Sequence, residues 1–165
     1  MIGGEAGFRA VPAIIANRIY QAGENISSSA KAGDTKAIEK HLTEGADVNG
    51  RDPLDGTPLH WAAVQGHTNA LKLLIEKGAD VNQINLFGYT PLMTVVKNNE
   101  PQLAKCLLDN GAGKTINQIN NDKQTCWSLS EEKGFKDKTQ IKSIIQDFHL
   151  KENFKTINKN RKRIL

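Results

Sequence analysis

Gly113-Lys114-Thr115 is the segment of this chain whose residue types come nearest to a chemical motif. A phosphate-binding loop needs Gly-x-x-x-x-Gly-Lys-Thr between a strand and a helix, so that backbone N–H groups surround the phosphates. Here Leu108 stands at the first glycine position, and the segment follows a helical pattern and leads into what reads as an extended Ile116-Asn117. Spacing and context point away from nucleotide binding and toward an insertion at a junction between structural units, with a bulged turn.

The other reactive side chains are equally scattered. His41, His60, His67 and His149 form no His-Glu-x-x-His and have no carboxylate at a recurring ligand spacing, which argues against a metal site or a general base. His60 is expected to bond locally and hold a turn, and His149 to lie near the end of the last helix, where a cation is favourable. Cys106 and Cys126 are too few for a disulfide framework and lack the paired spacing of a zinc set. They read as buried or idle thiols in a reducing compartment, with Cys106 among core leucines. Glu131 and Glu132 are adjacent, so on a helix they diverge by about 100° and cannot face each other as an acid/base pair. They read as a solvated helix start. The expectation is a chain that is not an enzyme, with no catalytic residues, no metal, no cofactor and no small-molecule substrate.

The elements that hold these residues follow a period. Gly45, Gly78 and Gly111 recur every 33 residues, the first two within Gly-Ala-Asp-Val-Asn at 45–49 and 78–82, and Thr57-Pro58-Leu59 returns as Thr90-Pro91-Leu92. A fixed period of this size signals supersecondary units stacked in a row. Each Thr-Pro suits a helix start, because threonine can accept from free N–H groups and proline needs none in the first turn. Leu59, Ala62 and Ala63, and then Leu92, Val95 and Val96, mark one face of a short first helix of roughly two turns. Gly66, replaced by Asn99 in the next unit, breaks the chain before a second helix carrying Leu71, Leu74 and Ile75, or Leu103, Leu107 and Leu108. The periodic glycines close these second helices in the left-handed conformation. Asn49 and Asn82 are expected to fix the turn that follows each of them.

Gly56-Thr57-Pro58-Leu59-His60-Trp61-Ala62-Ala63, Gly66-His67, Leu73-Leu74 and Gly78-Ala79-Asp80-Val81-Asn82 together resemble an ankyrin repeat almost throughout. The third unit continues the resemblance through Gly88-Tyr89-Thr90-Pro91-Leu92 and Leu107-Leu108-Asp109-Asn110-Gly111-Ala112, with Met93 and Val95-Val96 in place of the usual His and Ala-Ala. Within that pattern His67 starts a second helix and His41 falls where a core leucine is common. Residues 26–49 resemble an amino-terminal capping repeat with Ser27-Ser28-Ser29 on its solvated side. Thr125 to Gly134 resemble the first helix of a degenerate closing repeat, and Ile141, Ile144, Ile145 and Phe148 supply the apolar face of its second helix. Asp55-Gly56 puts the turn glycine one residue late, which predicts a distinct conformation for that loop.

The fold class implied is all-α: an ankyrin-repeat solenoid of about four helix-turn-helix units with short β-turn fingers. Its domain spans 25–150, with repeats at about 25–51, 52–84, 85–119 and 120–150, after an N-terminal segment 1–24 with a short helix over 13–21. That helix either packs on the first repeat or binds a partner. Ankyrin fingers line a concave face with the outer positions of each first helix, and the resemblance assigns Arg51, Pro53, Leu54, Val64, Gln65, Ile84, Leu86, Phe87, Tyr89, Lys97 and Asn98 to that face. It implies a non-catalytic module that binds a protein partner there as a monomer. Leu54, Leu86, Phe87 and Tyr89 are apolar or aromatic where solvent alone would favour polar residues, the composition of interface anchors.

Composition sets the remaining bounds. The chain has 165 residues, 38% hydrophobic and 24% charged, enough for one domain with a thin shared core. The formal charge of +4 divides into +5 for 151–165, with six Lys or Arg against one Glu, and −1 for 1–150. Basic function therefore belongs to the tail 151–165, where Lys159, Arg161, Lys162 and Arg163 would attract nucleic acid or an anionic membrane, or direct nuclear import. One aromatic, Phe154, is too little for a stacking platform on nucleic acid. No apolar run approaches the roughly 20 residues of a membrane helix, and 10–16 lacks the flanks of a signal peptide. A cytoplasmic setting is expected. Lys-rich, Asn- and Ile-rich usage, with 17 of the 22 cations Lys, raises a bacterial effector secreted into a host cell as the alternative, by analogy with delivered ankyrin arrays.

Overall fold

In the computed structural model of the chain, the described residues are 26–132 and 138–164. The helix expected over 13–21 lies outside them. Helix α1 occupies 26–32 and is followed by α2 (Thr35–Thr43), α3 (Pro58–Val64), α4 (Thr68–Glu76), α5 (Pro91–Lys97), α6 (Pro101–Asp109), α7 (Cys126–Glu131) and α8 (Thr139–Ile164). No strand occurs among the described residues.

The helices stack in two layers. In the first, α3 packs on α5 and α5 on α7; in the second, α2 packs on α4, α4 on α6 and α6 on α8. Within a unit α3 lies on α4, α5 on α6 and α7 on α8. Most of the predicted core lies between the layers: Leu59, Ala62, Ala63, Leu71, Leu74, Leu92, Val95, Val96, Leu103 and Leu107 are all fully or almost fully buried, whereas Ile75 is only partly so, at the edge of the cluster. Small residues on α3 let its neighbours approach closely, which keeps this core thin.

The glycine period corresponds to one backbone event. Gly45, Gly78 and Gly111 adopt φ of 93°, 92° and 94° at the ends of α2, α4 and α6. Residues with a Cβ disfavour this region, so each unit ends its second helix at the same step. Asn99 takes φ 58° in the place of Gly66, as its side chain permits.

Several local expectations are corrected. Ser27 is buried against the array, since α1 turns this residue inward; Ser28 alone of the three serines is exposed. Residues Ala112–Thr115 form a 3-10 turn, and Ile116 is helical in φ and ψ and buried rather than extended. The turn continues because the Ile116 N–H donates to the Gly113 carbonyl at 3.3 Å and the Gln118 N–H to that of Thr115 at 2.9 Å. The Gly-Lys-Thr sequence serves packing here: a Cβ on Gly113 would stand 2.0 Å from the Phe148 ring of α8. Glu131 ends α7 instead of opening a helix, and it pairs with Lys142 of α8 at 3.6 Å. His149 sits mid-helix, because α8 runs without a break from Thr139 to Ile164 and crosses residue 150 as helix. Cys106 is only partly buried, at the edge of the core cluster, whereas Cys126 is fully buried.

Candidate functional site

The fingers are built from one hydrogen-bonding device used three times. Asp52, Asn85 and Asn120 each stand five residues before the threonine that starts the next helix. Asp52 Oδ1 accepts from the N–H groups of Leu54 and Gly56, both at 2.8 Å. Asn85 Oδ1 does the same for Phe87 and Tyr89 at 3.0 Å, and Asn120 Oδ1 accepts from Gln124 at 2.8 Å. Such Asx turns fix a short loop locally. The left-handed corner of each falls on Asp55, Gly88 and Lys123, with φ of 55°, 76° and 61°. The loop at Asp55-Gly56 therefore keeps the shared conformation, contrary to the expectation from sequence. Asp55 accepts the left-handed geometry that aspartate tolerates, and Gly56 is small because its neighbour is close, a Cβ there standing 3.0 Å from Asp52 Oδ2.

Adjacent fingers are bonded to one another. The Leu86 N–H donates to the Leu54 carbonyl at 2.9 Å, and the Asn121 N–H to that of Phe87 at 3.1 Å. Arg51 donates to the Ile84 carbonyl at 3.3 Å and to the Gln83 side chain, and it faces Asp55 at 3.7 Å. Asn49 and Asn82 do not fix their own turns; Asp47 and Asp80 do that, by accepting from the N–H groups of Asn49 and Asn82. Asn49 Oδ1 instead accepts from the Asp80 N–H at 2.8 Å, and Asn82 Oδ1 from the Thr115 hydroxyl at 3.0 Å. Each asparagine is thus a rung to the next unit.

Behind the fingers, His60 links two of them. Its Nδ1 accepts from the Thr57 N–H at 3.2 Å and contacts the Thr57 hydroxyl at 2.9 Å, while Nε2 reaches the Tyr89 carbonyl at 3.1 Å. The predicted local bond is present, and the ring also holds the following finger. Burial lowers the His60 pKa below the ordinary value of 6.5, against the opposing pull of the Tyr89 carbonyl. An imidazole that resists protonation in the native state leaves the unfolded chain binding more protons below pH 6.5, so native stability falls on acidification through that range. Melting temperature is expected to decline from pH 7.5 to pH 5.5, and His60→Gln to flatten that slope while lowering stability at the upper end; a parallel slope in the variant would refute the assignment.

Between the fingers and the first helices lies a concavity of about 330 Å³. Leu54, Val64, Phe87, Tyr89, Lys97 and Asn98 of the predicted set line it; Arg51, Pro53, Gln65, Ile84 and Leu86 do not. Leu54, Val64 and Phe87 remain 43%, 41% and 50% exposed, so their apolar surface is unused by the fold. Leu86 at 55% and Ile84 at 41% are exposed outside the concavity. Lys97 Nζ donates to the Tyr89 hydroxyl at 3.1 Å and stands 5.1 Å from the ring centre, and this bond raises its pKa above the ordinary value. The Asn98 amide donates to the Val64 carbonyl at 3.0 Å.

Sequence reasoning missed Asp52, Trp61, Asn85 and Thr94, and treated His60 as structural alone; all line the concavity. Trp61 Nε1 donates to Asp52 Oδ2 at 2.6 Å, and Lys31 of α1 lies 4.8 Å from the indole centre. The recurrence of Asp or Asn five residues before Thr57, Thr90 and Thr125 was the signal that could have found the first and third of these. Lys159, Arg161, Lys162 and Arg163 lie on the last turns of α8, far along the chain from this face.

Among the described residues no group of three His, Cys, Asp or Glu side chains could hold a metal. Burial pushes the Cys126 thiol up to about 12 and raises Cys106 in the same direction, so neither is a ready nucleophile.

Comparison with known proteins agrees with the stacked units. A family profile of ankyrin repeats in three copies matches residues 26–126. The protein VAPYRIN-LIKE of Medicago truncatula is 42% identical over 43 residues, 26% of this chain and 9% of that protein, so the chain spans only a small part of the relative's length. With its profile match covering most of the chain and its helices paired and stacked in register, the protein belongs to the ankyrin repeat family and is a protein-interaction module.

Proposed function

We propose that the concave face binds one segment of a protein partner, with an apolar side chain of that segment seated among Leu54, Val64 and Phe87. The observation that carries the reading is apolar surface left exposed on fingers that are already bonded to each other. Ordering costs oppose association, and fingers held by Asx turns and cross-finger bonds have little left to order. Asp52, Lys97 and Asn98 supply polar groups around the apolar floor, where they would fix the direction of the bound segment. Arg51, Gln65 and Leu86 flank it.

The test is positional. Photo-crosslinkers at Val64 and Leu86 are expected to capture the partner, and crosslinkers at the exposed Lys72 and Lys105 of the second-helix layer to miss it. Phe87→Ala is expected to weaken binding at least tenfold, about 1.4 kcal/mol, with the melting temperature nearly unchanged. Capture from the second-helix layer, or unchanged affinity, would overturn this choice of face.

A further inference from the structure

Helix α8 carries two apolar stripes on opposite faces. In its first half Ile141, Ile144, Ile145 and Phe148 share a face that packs on the array, with Ile141 and Ile145 fully buried. From residue 150 onward, positions of Leu150, Phe154, Ile157 and Ile164 form a second stripe, spaced by four, three and seven residues. At about 100° per residue the second stripe lies roughly 180° from the first. A straight helix cannot turn both toward the same neighbours, and Leu150, which opens the second stripe, is 51% exposed.

Charge follows the same register. The positions of Lys151, Lys155, Lys159, Lys162 and Arg163 fall on the side opposite the second stripe, and Arg161 lies within it. The one acid in this stretch, Glu152, is paired with Lys155 at 2.6 Å. No helix among the described residues is long and apolar enough to cross a membrane. The stretch 150–164 instead has the dimensions of a surface element, roughly 22 Å long at about 1.5 Å per residue.

We propose that residues 150–164 of α8 lie along an anionic lipid surface, with the apolar stripe at the boundary of headgroups and acyl chains and the cations reaching headgroup phosphates and carboxylates. A narrow apolar face opposed by cations is what an interfacial helix requires, and a cation within the stripe can extend its head toward the polar layer. Each alternative occupant leaves one feature unused. Nucleic acid would engage the cations and have no use for the apolar stripe. A second copy would bring like charges alongside like charges, without the acids that pair the flanks of helical dimers. This inference is independent of the concave-face reading.

The full chain is to be sedimented with vesicles of phosphatidylcholine alone or mixed with phosphatidylserine. Partition is expected to be at least about tenfold stronger on the mixed vesicles and to weaken as salt is raised. Phe154→Ser with Ile157→Ser, which leaves every charge in place, is expected to lower that partition about tenfold or more with the melting temperature unchanged. Absence of partition, equal partition on both vesicles, full partition by the double variant, or tighter binding to duplex DNA than to the mixed vesicles would each overturn the proposal.

Discussion

Leu92→Ala is expected to lower stability by about 2–5 kcal/mol, the range for removing a fully enclosed leucine without collapse of the space it leaves. Leu92 has no exposed surface, and its helix α5 touches α3, α6 and α7, so it lies where both halves of the array meet. Stability in a repeat array is a sum over units and the interfaces between neighbours. A cavity in α5 weakens interfaces on both sides at once, and the melting temperature should fall by roughly 5–15 °C. Urea unfolding followed by circular dichroism is the measurement, and a broadened or divided transition would report the uncoupling of the two halves. A loss below about 1 kcal/mol would mean that the helix layers close over the gap, against the packing described.

Gly88→Ala should have the next largest effect, about 2–4 kcal/mol, from two sources that add. The residue adopts φ 76°, which disfavours any Cβ, and a Cβ there would stand 2.9 Å from Asn120 Cα and 3.1 Å from the Asn121 N of the next finger. Both obstacles are main chain, so the fingers themselves must separate. Their separation strains the bonds from the Asn121 N–H to Phe87 and from the Asn121 amide to Leu86, at 3.1 and 3.0 Å. Lys123→Gly supplies the contrast, since Lys123 has φ 61° at the equivalent corner and glycine relieves that strain. Thermal unfolding is expected to move down for Gly88→Ala and to stay level or move up for Lys123→Gly. A Gly88→Ala variant as stable as the parent would refute the close stacking of the fingers.

What the sequence made legible is what depends on local backbone chemistry. The glycine period marked helix closure because a left-handed residue leaves a mark in residue type, and Thr90-Pro91 marked a helix start because Thr90 Oγ1 does accept from the Met93 N–H, at 3.1 Å. Six of the eleven residues assigned to the concave face line one concavity, since first-helix and finger positions inherit the same period. What stayed hidden depends on partners distant in sequence. Asn49 looked like a turn residue, and its bond runs to Asp80. Gly113 read as part of a junction insertion with a bulged turn, and its neighbour is Phe148 on another helix. Arg51 and Leu86 were assigned to the face by finger position and Gln65 by its place at the end of a first helix, but Arg51 is spent on bonds to Ile84 and Gln83 in the neighbouring finger. The continuation of α8 past 150 was concealed for a different reason. Its charge run read as a tail, although no Gly or Pro between 139 and 164 would stop a helix.

The two asparagine rungs differ in how well they would survive genetic drift. Asn49 is met by the main-chain N–H of Asp80, a donor that every residue except proline brings, so the receiving position can vary freely without opening that junction. Asn82 is met by the Thr115 hydroxyl, and there only a few side chains could serve. Selection for fold should therefore hold residue 80 only for its own turn, where the Asp80 carboxylate accepts from the Asn82 N–H, and hold residue 115 for the rung itself, to hydroxyl-bearing types. Of the two, the junction that carries the inserted residues is the one tied through a side chain at both ends.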